Sequence, residues 1–276
     1  MDTTMTRRHF YPRADSARQP SPLWYFGRAV YVSRYDYRRI FFKFLAVGVP
    51  VGAAGFLLRT PALLYAAYAL AALGLLMLAY SLAGLYRQYG HFSAQYFRRL
   101  LRLGGVTDGA AVADLHIGTY RHAYRLAELL PRSTVYSVDC WNVEGPPPEK
   151  AVLDVRDLEP APADNPRIRP LRARDFRLPL PDESCDAVVF GFGTHEIPTG
   201  GPREQLFAEA RRVLKPNGRA LLFEHGYDFH NYLIFGPVIS HVTRRDDWHA
   251  VMNSYFEDVR YERTSHAVDL FAGRRP

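Results

Sequence analysis

The chain has 276 residues and a formal net charge of +7, a length that suffices for an apolar anchor and one soluble domain of about 170 residues. Its basic excess lies beside an uncharged stretch, which favours anionic lipid headgroups over nucleic acid as the partner. The only cysteines, Cys140 and Cys185, lack metal-ligand spacing. We therefore expect a reduced compartment, no disulfide, no metal site and no nucleic-acid binding.

A basic, aromatic-rich segment, residues 1–40, precedes a stretch that is almost free of charge, residues 41–86. Crossing a bilayer takes about 20 apolar residues, and two runs qualify, 41–58 and 61–86. The short connection at Arg59 and Thr60 leaves room only for a tight turn. The pattern predicts a transmembrane helical hairpin. The alternative is a buried helical hairpin of a soluble protein, since alanine- and glycine-rich helices also fill cores.

Positive residues flank the two runs on their outer sides, and the connecting turn has one arginine. They are Arg28, Arg34, Arg38, Arg39 and Lys43 before the runs, and Arg87, Arg98, Arg99 and Arg102 after them. Because lysine and arginine stay on the cytoplasmic side, both termini and the following domain are predicted to be cytoplasmic. The expected location is a lipid bilayer, crossed twice.

A linker helix is predicted at 87–104, and an α/β domain at 105–276. Apolar runs at 110–115, 134–138, 185–192, 219–223, 259–264 and 267–273 alternate with helical patterns at 119–130, 202–214 and 246–255. This alternation predicts a Rossmann-like, mainly parallel sheet with flanking helices. The proline-rich stretch 144–150 (EGPPPEK) predicts a long surface loop.

Four motifs occur in a fixed order within the predicted domain. They are 113–120 (ADLHIGTY), Asp139 at the end of the second strand, 180–189 (LPDESCDAVV) and 213–219 (VLKPNGR). In this order and spacing, residues 105–276 resemble the class I S-adenosylmethionine-dependent methyltransferases. The resemblance implies methyl transfer with S-adenosyl-L-methionine as the cofactor.

The first of these motifs corresponds to the family's acidic residue and glycine-rich loop, here Asp114, His116 and Gly118. Glycine is favoured there because backbone amides must approach the methionyl part of the cofactor. The sequence keeps Gly118, but His116 and Tyr120 stand where relatives have glycine, so we expect a tighter and bulkier loop.

The resemblance assigns further cofactor contacts. Asp139 is placed to accept hydrogen bonds from two ribose hydroxyls, the alternative being a strand-end turn residue. Asp175 matches the acid that contacts adenine, with Phe176 as a stacking neighbour, although a simple loop aspartate is the alternative. Gly193 lies in 191–197 (GFGTHEI), at the end of the fourth strand and facing the sulfonium.

His195, in the same motif, and His225, at the end of the fifth strand, are the catalytic candidates. Methyl transfer needs a base only when the acceptor must lose a proton, and otherwise depends on alignment. A histidine that caps a helix or bonds a backbone carbonyl is the alternative for both.

An insertion rich in aromatic residues, 227–241 (YDFHNYLIFGPVISH), follows the fifth strand. A loop this apolar is unfavourable in open water, so we expect it to cover the active site, to dock on the bilayer, or to do both. Tyr227, His230 and Tyr232 are the predicted acceptor-binding residues. The glutamate–histidine pair followed by this insertion also resembles membrane-anchored methyltransferases of lipophilic small molecules.

The sequence therefore predicts a membrane-anchored methyltransferase with a hydrophobic or amphipathic small-molecule acceptor. The substituted first loop supports one alternative, a catalytically inactive, methyltransferase-like membrane scaffold or regulator. Within the enzyme reading, quinone or polyketide tailoring and lipid headgroup methylation both stay open.

Overall fold

The computed structural model describes residues 10–90, 93–141, 150–163, 165–265 and 267–276. The helices are α1 (Pro22–Val32), α2 (Arg34–Leu57), α3 (Pro61–Tyr89), α4 (Ser93–Gly104), α5 (Arg121–Leu129), α6 (Lys150–Leu158), α7 (Pro202–Val213), α8 (Phe229–Phe235) and α9 (Arg245–Tyr255). The strands are β1 (Ala111–His116), β2 (Thr134–Asp139), β3 (Ile168–Arg172), β4 (Cys185–Phe190), β5 (Leu214–His225), β6 (Glu257–Arg263) and β7 (Val268–Arg274). Short 3₁₀ helices occupy Thr194–Glu196 and Gly236–His241.

The strands form one mixed sheet in the order β3-β2-β1-β4-β5-β7-β6. Strands β1 to β5 pair in parallel, and β7 runs antiparallel to both β5 and β6. The central strands read as nearly continuous apolar runs because helices cover both faces of the sheet. The predicted Rossmann-like sheet with flanking helices is confirmed. Its parallel strands bring the carboxyl ends of β1, β2, β4 and β5 to one edge.

Two segments differ from their predicted structure. The insertion 227–241 is not a loop: it forms α8 and a 3₁₀ helix, because the Asp228 carboxylate accepts hydrogen bonds from the backbone amides of His230 and Asn231 and caps α8. Of the predicted loop 144–150, residue 150 begins α6, and the rest lies outside the described residues.

Helices α2 and α3 form an antiparallel pair. Each is long and apolar enough to cross a membrane, by length and composition alone. The described residues leave their apolar side chains largely uncovered: Val47 is 54% exposed and Leu75 67%. A buried core hairpin would cover these side chains, so the arrangement does not favour that alternative.

The helices on either side of this pair pack on the α/β domain. Helix α4 contributes Tyr96, Phe97 and Leu100 to the core on one face of the sheet. In α1, the buried Arg28 forms an ion pair with the buried Glu159, which follows α6. The chain on both sides of the apolar pair is therefore joined to the domain.

Candidate active site

A cavity of about 200 Å³ lies at the carboxyl ends of the parallel strands. Ligands bind at this edge of α/β sheets. Its walls come from the segments that follow β1 and β4, from the end of β5, from α1 and from the 3₁₀ helix Gly236–His241; they include Thr119, Phe192, Gly193, His195, Glu196, His225, Ala29, Ile239 and His241. Most of the exposed lining is apolar, and the polar residues that line the cavity include imidazole, carboxylate and guanidinium groups, the last from Arg28 and Arg121.

The loop after β1 turns at Gly118, whose φ of +112° is a conformation that favours glycine. The Gly118 amide donates to His116 Nδ1 over 3.0 Å, and the His116 ring packs edge-on against Tyr120 with 4.7 Å between ring centroids. The two bulky residues of the loop therefore pack edge-on against each other. His116 Nε2 is buried and has no hydrogen-bond partner among the described residues.

Asp139, at the end of β2, is held by Arg156 of α6. Two guanidinium nitrogens of Arg156 donate to the two carboxylate oxygens of Asp139, over 2.8 and 2.7 Å. Burial acts to raise the pKa of Asp139, but these bonds outweigh it and lower the pKa. Arg156 also donates to the Ile117 carbonyl over 2.7 Å, and a Cβ at position 118 would collide with the Arg156 side chain. One guanidinium thus lies across both the glycine turn and Asp139.

Asp114 is fully buried and does not line the cavity. Its carboxylate lies 3.7 Å from His122 Nδ1 and accepts a hydrogen bond from the Ser137 hydroxyl. Burial raises the pKa of Asp114 to about 7 and lowers that of His122 well below its ordinary value. Between its ordinary pKa of 3.8 and about pH 7 the Asp114 carboxyl is therefore mostly protonated, and at neutral pH the His122 ring is uncharged.

Asp175 and Phe176 occupy the tip of a tight turn after β3. Both have positive φ, +48° and +59°, and two backbone hydrogen bonds between Arg174 and Arg177 close the turn. Neither residue lines the cavity, although the neighbouring Ala173 amide donates to the Asp139 carbonyl over 2.9 Å. Their assignment to the adenine stays a prediction.

Gly193 and His195 follow β4 at the centre of the cavity wall. Gly193 has a φ of +106°, and a Cβ there would lie 2.6 Å from the Ile117 side chain, so the loops after β1 and β4 approach each other closely at this glycine. His195 Nδ1 donates to Glu224 Oε2 over 2.8 Å, and His195 Nε2 lies 3.3 Å from Glu196 Oε1.

The charge of this group follows from its contacts. Burial acts to lower the pKa of His195, but the Glu224 carboxylate and hydrogen bonds to Glu196 and Glu224 outweigh it and raise the pKa to about 10. Burial acts to raise the pKa of Glu196, but hydrogen bonds from His195 and His241 lower it to about 2. The group is therefore a compact set of opposite charges on the cavity wall.

His225 also lines the cavity, in different surroundings. Its ring stacks on Phe192 with a centroid distance of 3.9 Å, and its Nε2 shares a 2.8 Å hydrogen bond with the Tyr89 hydroxyl. Burial lowers its pKa well below the ordinary value. Its Nδ1 is buried and has no hydrogen-bond partner within the described ranges. The structure thus brings both catalytic candidates, His195 and His225, to one cavity, with ring centroids 6.2 Å apart.

The three predicted acceptor-binding residues do not line this cavity. Tyr227 is 46% exposed and lies under the Arg244 guanidinium, and His230 Nδ1 shares a 2.8 Å hydrogen bond with the Tyr80 hydroxyl of α3. Tyr232 lines a separate, apolar cavity between α2, α3 and α8. The insertion reaches the cavity through other residues, Phe235, Val238, Ile239 and His241.

Sequence reasoning missed a buried polar network beside the cavity. Arg28 of α1 pairs with Glu159, whose carboxylate also accepts from the hydroxyls of Tyr25 and Thr119, over 2.9 and 2.7 Å. Arginine and glutamate are rarely fully buried unless paired, but neither residue lies in a recognisable motif. Their pairing joins α1 to the loop after β1.

Comparison with known proteins supports one class for this domain. Residues 115–222 match the family model described as methyltransferase domain. The ubiquinone/menaquinone biosynthesis C-methyltransferase UbiE of Syntrophotalea carbinolica is 33% identical over 113 residues, 41% of this chain and 43% of that protein. The demethylmenaquinone methyltransferase of Bacillus velezensis is 26% identical over 126 residues, 46% and 50% of the two chains. The chain thus spans about half the length of these curated relatives or less.

Solved structures agree on the fold. The S-adenosylmethionine-dependent methyltransferase from Aquifex aeolicus superposes with a TM-score of 0.50 at 16% identity, over 65% of this chain and 89% of that one. The pyocyanin biosynthetic protein PhzM superposes with a TM-score of 0.51 at 12% identity, over 70% and 57%. The α/β part of the chain therefore has the fold of the S-adenosylmethionine-dependent methyltransferases, and residues 115–222 match the model of a methyltransferase domain.

Proposed function

We propose that the chain is a membrane-anchored methyltransferase that transfers a methyl group from S-adenosylmethionine to a hydrophobic or amphipathic small molecule. One observation carries this proposal. The insertion 227–241 lines a mostly apolar cavity at the ligand-binding edge of the sheet, and it also packs on the apolar, uncovered pair α2 and α3. The proposed bilayer anchor and the proposed acceptor cavity therefore share one structural element, the insertion 227–241.

The residues around the glycine turn fit the cofactor in two respects. Gly118 has the positive φ and the close surroundings that require glycine, and Asp139 offers an acceptor-only carboxylate at a strand end, as ribose hydroxyls require. When bound, the cofactor supplies an electrophilic methyl group on its sulfonium. Arg156 lies over both residues, so its guanidinium must leave Asp139 for the ribose to bind there.

The acceptor half of the site is the cavity next to Gly193. Its apolar walls exclude water and hold an acceptor in line, and alignment supplies most of the acceleration of a methyl transfer. His195 and His225 are our candidates for contact with the acceptor, because both line this cavity. A proton is taken up there only if the acceptor atom carries one.

A route from the bilayer to this cavity runs along the insertion. An apolar cavity of about 990 Å³ separates α2, α3 and α8, and Ile234 of α8 packs against Gly84 of α3, where a Cβ would collide with it. The next residue, Phe235, already lines the acceptor cavity. A short stretch of insertion thus borders both cavities, which favours an acceptor that arrives from the lipid phase.

The names of the curated relatives suggest an acceptor class. Both are quinone-pathway methyltransferases by name, and one is a C-methyltransferase. A quinone-type ring with an apolar tail fits the pair of apolar cavities, so we propose this class ahead of lipid headgroups. The Arg156–Asp139 pair favours the other candidate, an inactive scaffold, since it occupies the group that the ribose needs.

The test separates the two candidates. Purified full-length protein in detergent is titrated calorimetrically with S-adenosylmethionine and S-adenosylhomocysteine, and labelled methyl transfer is then measured with a total membrane extract and with a demethylated quinone. We expect binding of both nucleosides and a labelled, lipid-soluble product that His225→Ala reduces by about 10²-fold. Binding without a product in either assay would favour the scaffold, and absence of binding would overturn both the cofactor assignment and the enzyme.

A further inference from the structure

Three side-chain atoms of metal-ligand type converge on the cavity wall. They are His195 Nε2, Glu196 Oε1 and His241 Nε2, and the ligand atoms of the three residues all lie within 4.8 Å of one another. Glu196 Oε1 is 3.3 Å from the first imidazole nitrogen and 3.2 Å from the second. The Nε2 atoms of two imidazoles therefore lie next to the same carboxylate oxygen.

The Nδ1 atom of each imidazole, on the side of the ring away from Glu196, has a hydrogen-bond acceptor as its partner. His195 Nδ1 donates to the Glu224 carboxylate over 2.8 Å, and His241 Nδ1 donates to the Val238 carbonyl. A carboxylate and a carbonyl only accept, so each ring keeps a proton on Nδ1, and a metal ion that binds at the Nε2 facing Glu196 displaces any second proton held there. Metal-binding histidines are oriented by the same kind of partner, a carboxylate or a backbone carbonyl on the other ring nitrogen.

Two of the three separations between ligand atoms, both measured to Glu196 Oε1, match a coordination sphere. Zinc holds imidazole nitrogen and carboxylate oxygen at about 2.0–2.2 Å, so neighbouring ligand atoms of a tetrahedral ion lie roughly 3.3–3.6 Å apart. The observed 3.3 and 3.2 Å separations are close to that range. Arg203 stabilises the backbone of this segment, since its guanidinium donates to the carbonyls of Ile197 and His195 over 3.1 and 3.0 Å.

We infer that His195, Glu196 and His241 bind one divalent transition-metal ion, with Zn²⁺ as the preferred ion and Glu224 as the residue that orients His195. Two imidazoles and one carboxylate suit zinc and its first-row neighbours better than Mg²⁺ or Ca²⁺, which take oxygen ligands. The sequence-based expectation of no metal rested on cysteine spacing, and this site uses no cysteine. Three protein ligands leave a coordination position free, as in catalytic rather than structural zinc sites.

All three residues line the acceptor cavity, so an oxygen-bearing acceptor could occupy the free position. That last step rests on the proposed function, whereas metal binding does not. The imidazole of His241 is the most accessible of the three ligands, with 35% of its side chain exposed, and gives the ion an entry path from solvent.

Metal binding is measured on full-length protein in detergent, stripped of metal with a chelator. We expect calorimetry with Zn²⁺ to give one site per chain, and Co²⁺ to give the intense visible absorption of a low-coordinate site. His241→Ala should lower the Zn²⁺ affinity by at least about 100-fold, since loss of an orienting residue alone costs about 10- to 100-fold. His249→Ala is the matched control, because this histidine packs on Tyr261 and Phe271 away from the cluster.

Absence of a stoichiometric site, or equal Zn²⁺ affinity in His241→Ala and His249→Ala, would overturn the inference. Circular-dichroism melts of both variants check that the fold is kept, and Glu196→Gln, which is nearly isosteric, serves as the second variant should His241→Ala unfold. A parallel titration with S-adenosylmethionine separates the two hypotheses. Metal binding without cofactor binding would reject methyl transfer and keep the metal site. Cofactor binding without metal binding would reject the metal site and keep methyl transfer.

Discussion

The guanidinium of Arg156 forms two hydrogen bonds, 2.8 and 2.7 Å long, with the two carboxylate oxygens of Asp139. This geometry is the bidentate arrangement by which arginine recognises a carboxylate most strongly. In the proposed function the same oxygens bind the ribose of the cofactor. Arg156 and the ribose therefore compete for one acceptor group.

Replacing Asp139 by alanine should weaken S-adenosylmethionine binding by roughly 1.5–3 kcal/mol, about 10- to 150-fold in dissociation constant, because hydrogen bonds to a charged acceptor are lost. Calorimetry on the full-length protein measures the change. An unchanged dissociation constant would place the ribose elsewhere.

Replacing Arg156 by alanine should have the opposite effect and tighten cofactor binding by up to about fivefold, because a partly exposed ion pair worth up to about 1 kcal/mol no longer has to be broken. Arg132→Ala is a matched control, since Arg132 also pairs with an aspartate, Asp108, but distant in the fold from the glycine turn. Weaker binding in Arg156→Ala would show that the guanidinium contacts the cofactor itself.

Alanine at position 118 should abolish cofactor binding, because its Cβ fills the space through which the backbone amides approach the methionyl part of the cofactor. It should also lower the free energy of unfolding by about 1–3 kcal/mol, because the Cβ meets the Arg156 side chain at a φ of +112°. Gly109→Ala provides the comparison: its φ is +94°, but nothing lies within 4 Å of the added Cβ. We expect Gly109→Ala to lose stability and keep cofactor affinity, as judged by denaturant titration and calorimetry. Equal affinity losses in both variants would assign the effect to backbone strain.

The buried Asp114 should make stability depend on pH. Its pKa is about 7 in the folded protein, raised by burial from 3.8. Between these values Asp114 binds more protons in the folded chain than in the unfolded chain, so its contribution to the free energy of unfolding falls as pH rises, by up to about 1.4 kcal/mol per pH unit, and levels off above pH 7. Denaturant titrations from pH 4.5 to 8 measure the slope. Asp114→Asn should remove this component, and an unchanged slope would contradict the assignment.

The helix pair should hold the protein in the membrane. Because α2 and α3 leave most of their apolar side chains uncovered, the full-length chain is expected to stay with membranes during carbonate and high-salt washes. Deletion of residues 41–86 should release it. Extraction of the intact chain by carbonate would indicate peripheral attachment instead.

Local sequence patterns were sufficient for much of the fold. The apolar runs that became β1, β2, β4 and β7, and the helical patterns that became α7 and α9, lie within a few residues of their predicted positions. Strand β3 was missed because it is short, carries arginines and contains Pro170, which an edge strand tolerates. Helix α6 was missed because it lies between proline-rich stretches.

The site was less accessible to sequence reasoning, since its decisive contacts join distant residues. His195 and His225 were found because they follow apolar strands. Arg156 and His241 carry no local signal: their partners Asp139 and Glu196 lie 17 and 45 positions away along the chain. Only the three-dimensional packing of α6 and of the 3₁₀ helix Gly236–His241 brings these pairs together.

Helix α6, nine residues long, contacts both the start of α2 and the end of β2. Its Asp154 lies 3.0 Å from a guanidinium nitrogen of Arg34, in the first turn of α2, while its Arg156 is bonded to Asp139. A helix of two to three turns moves as a rigid piece, so a shift that frees Asp139 also pulls on the start of α2. If α2 spans a bilayer as proposed and cofactor binding tilts it, thermodynamic reciprocity requires that bilayer thickness and lateral pressure also change the affinity for the cofactor.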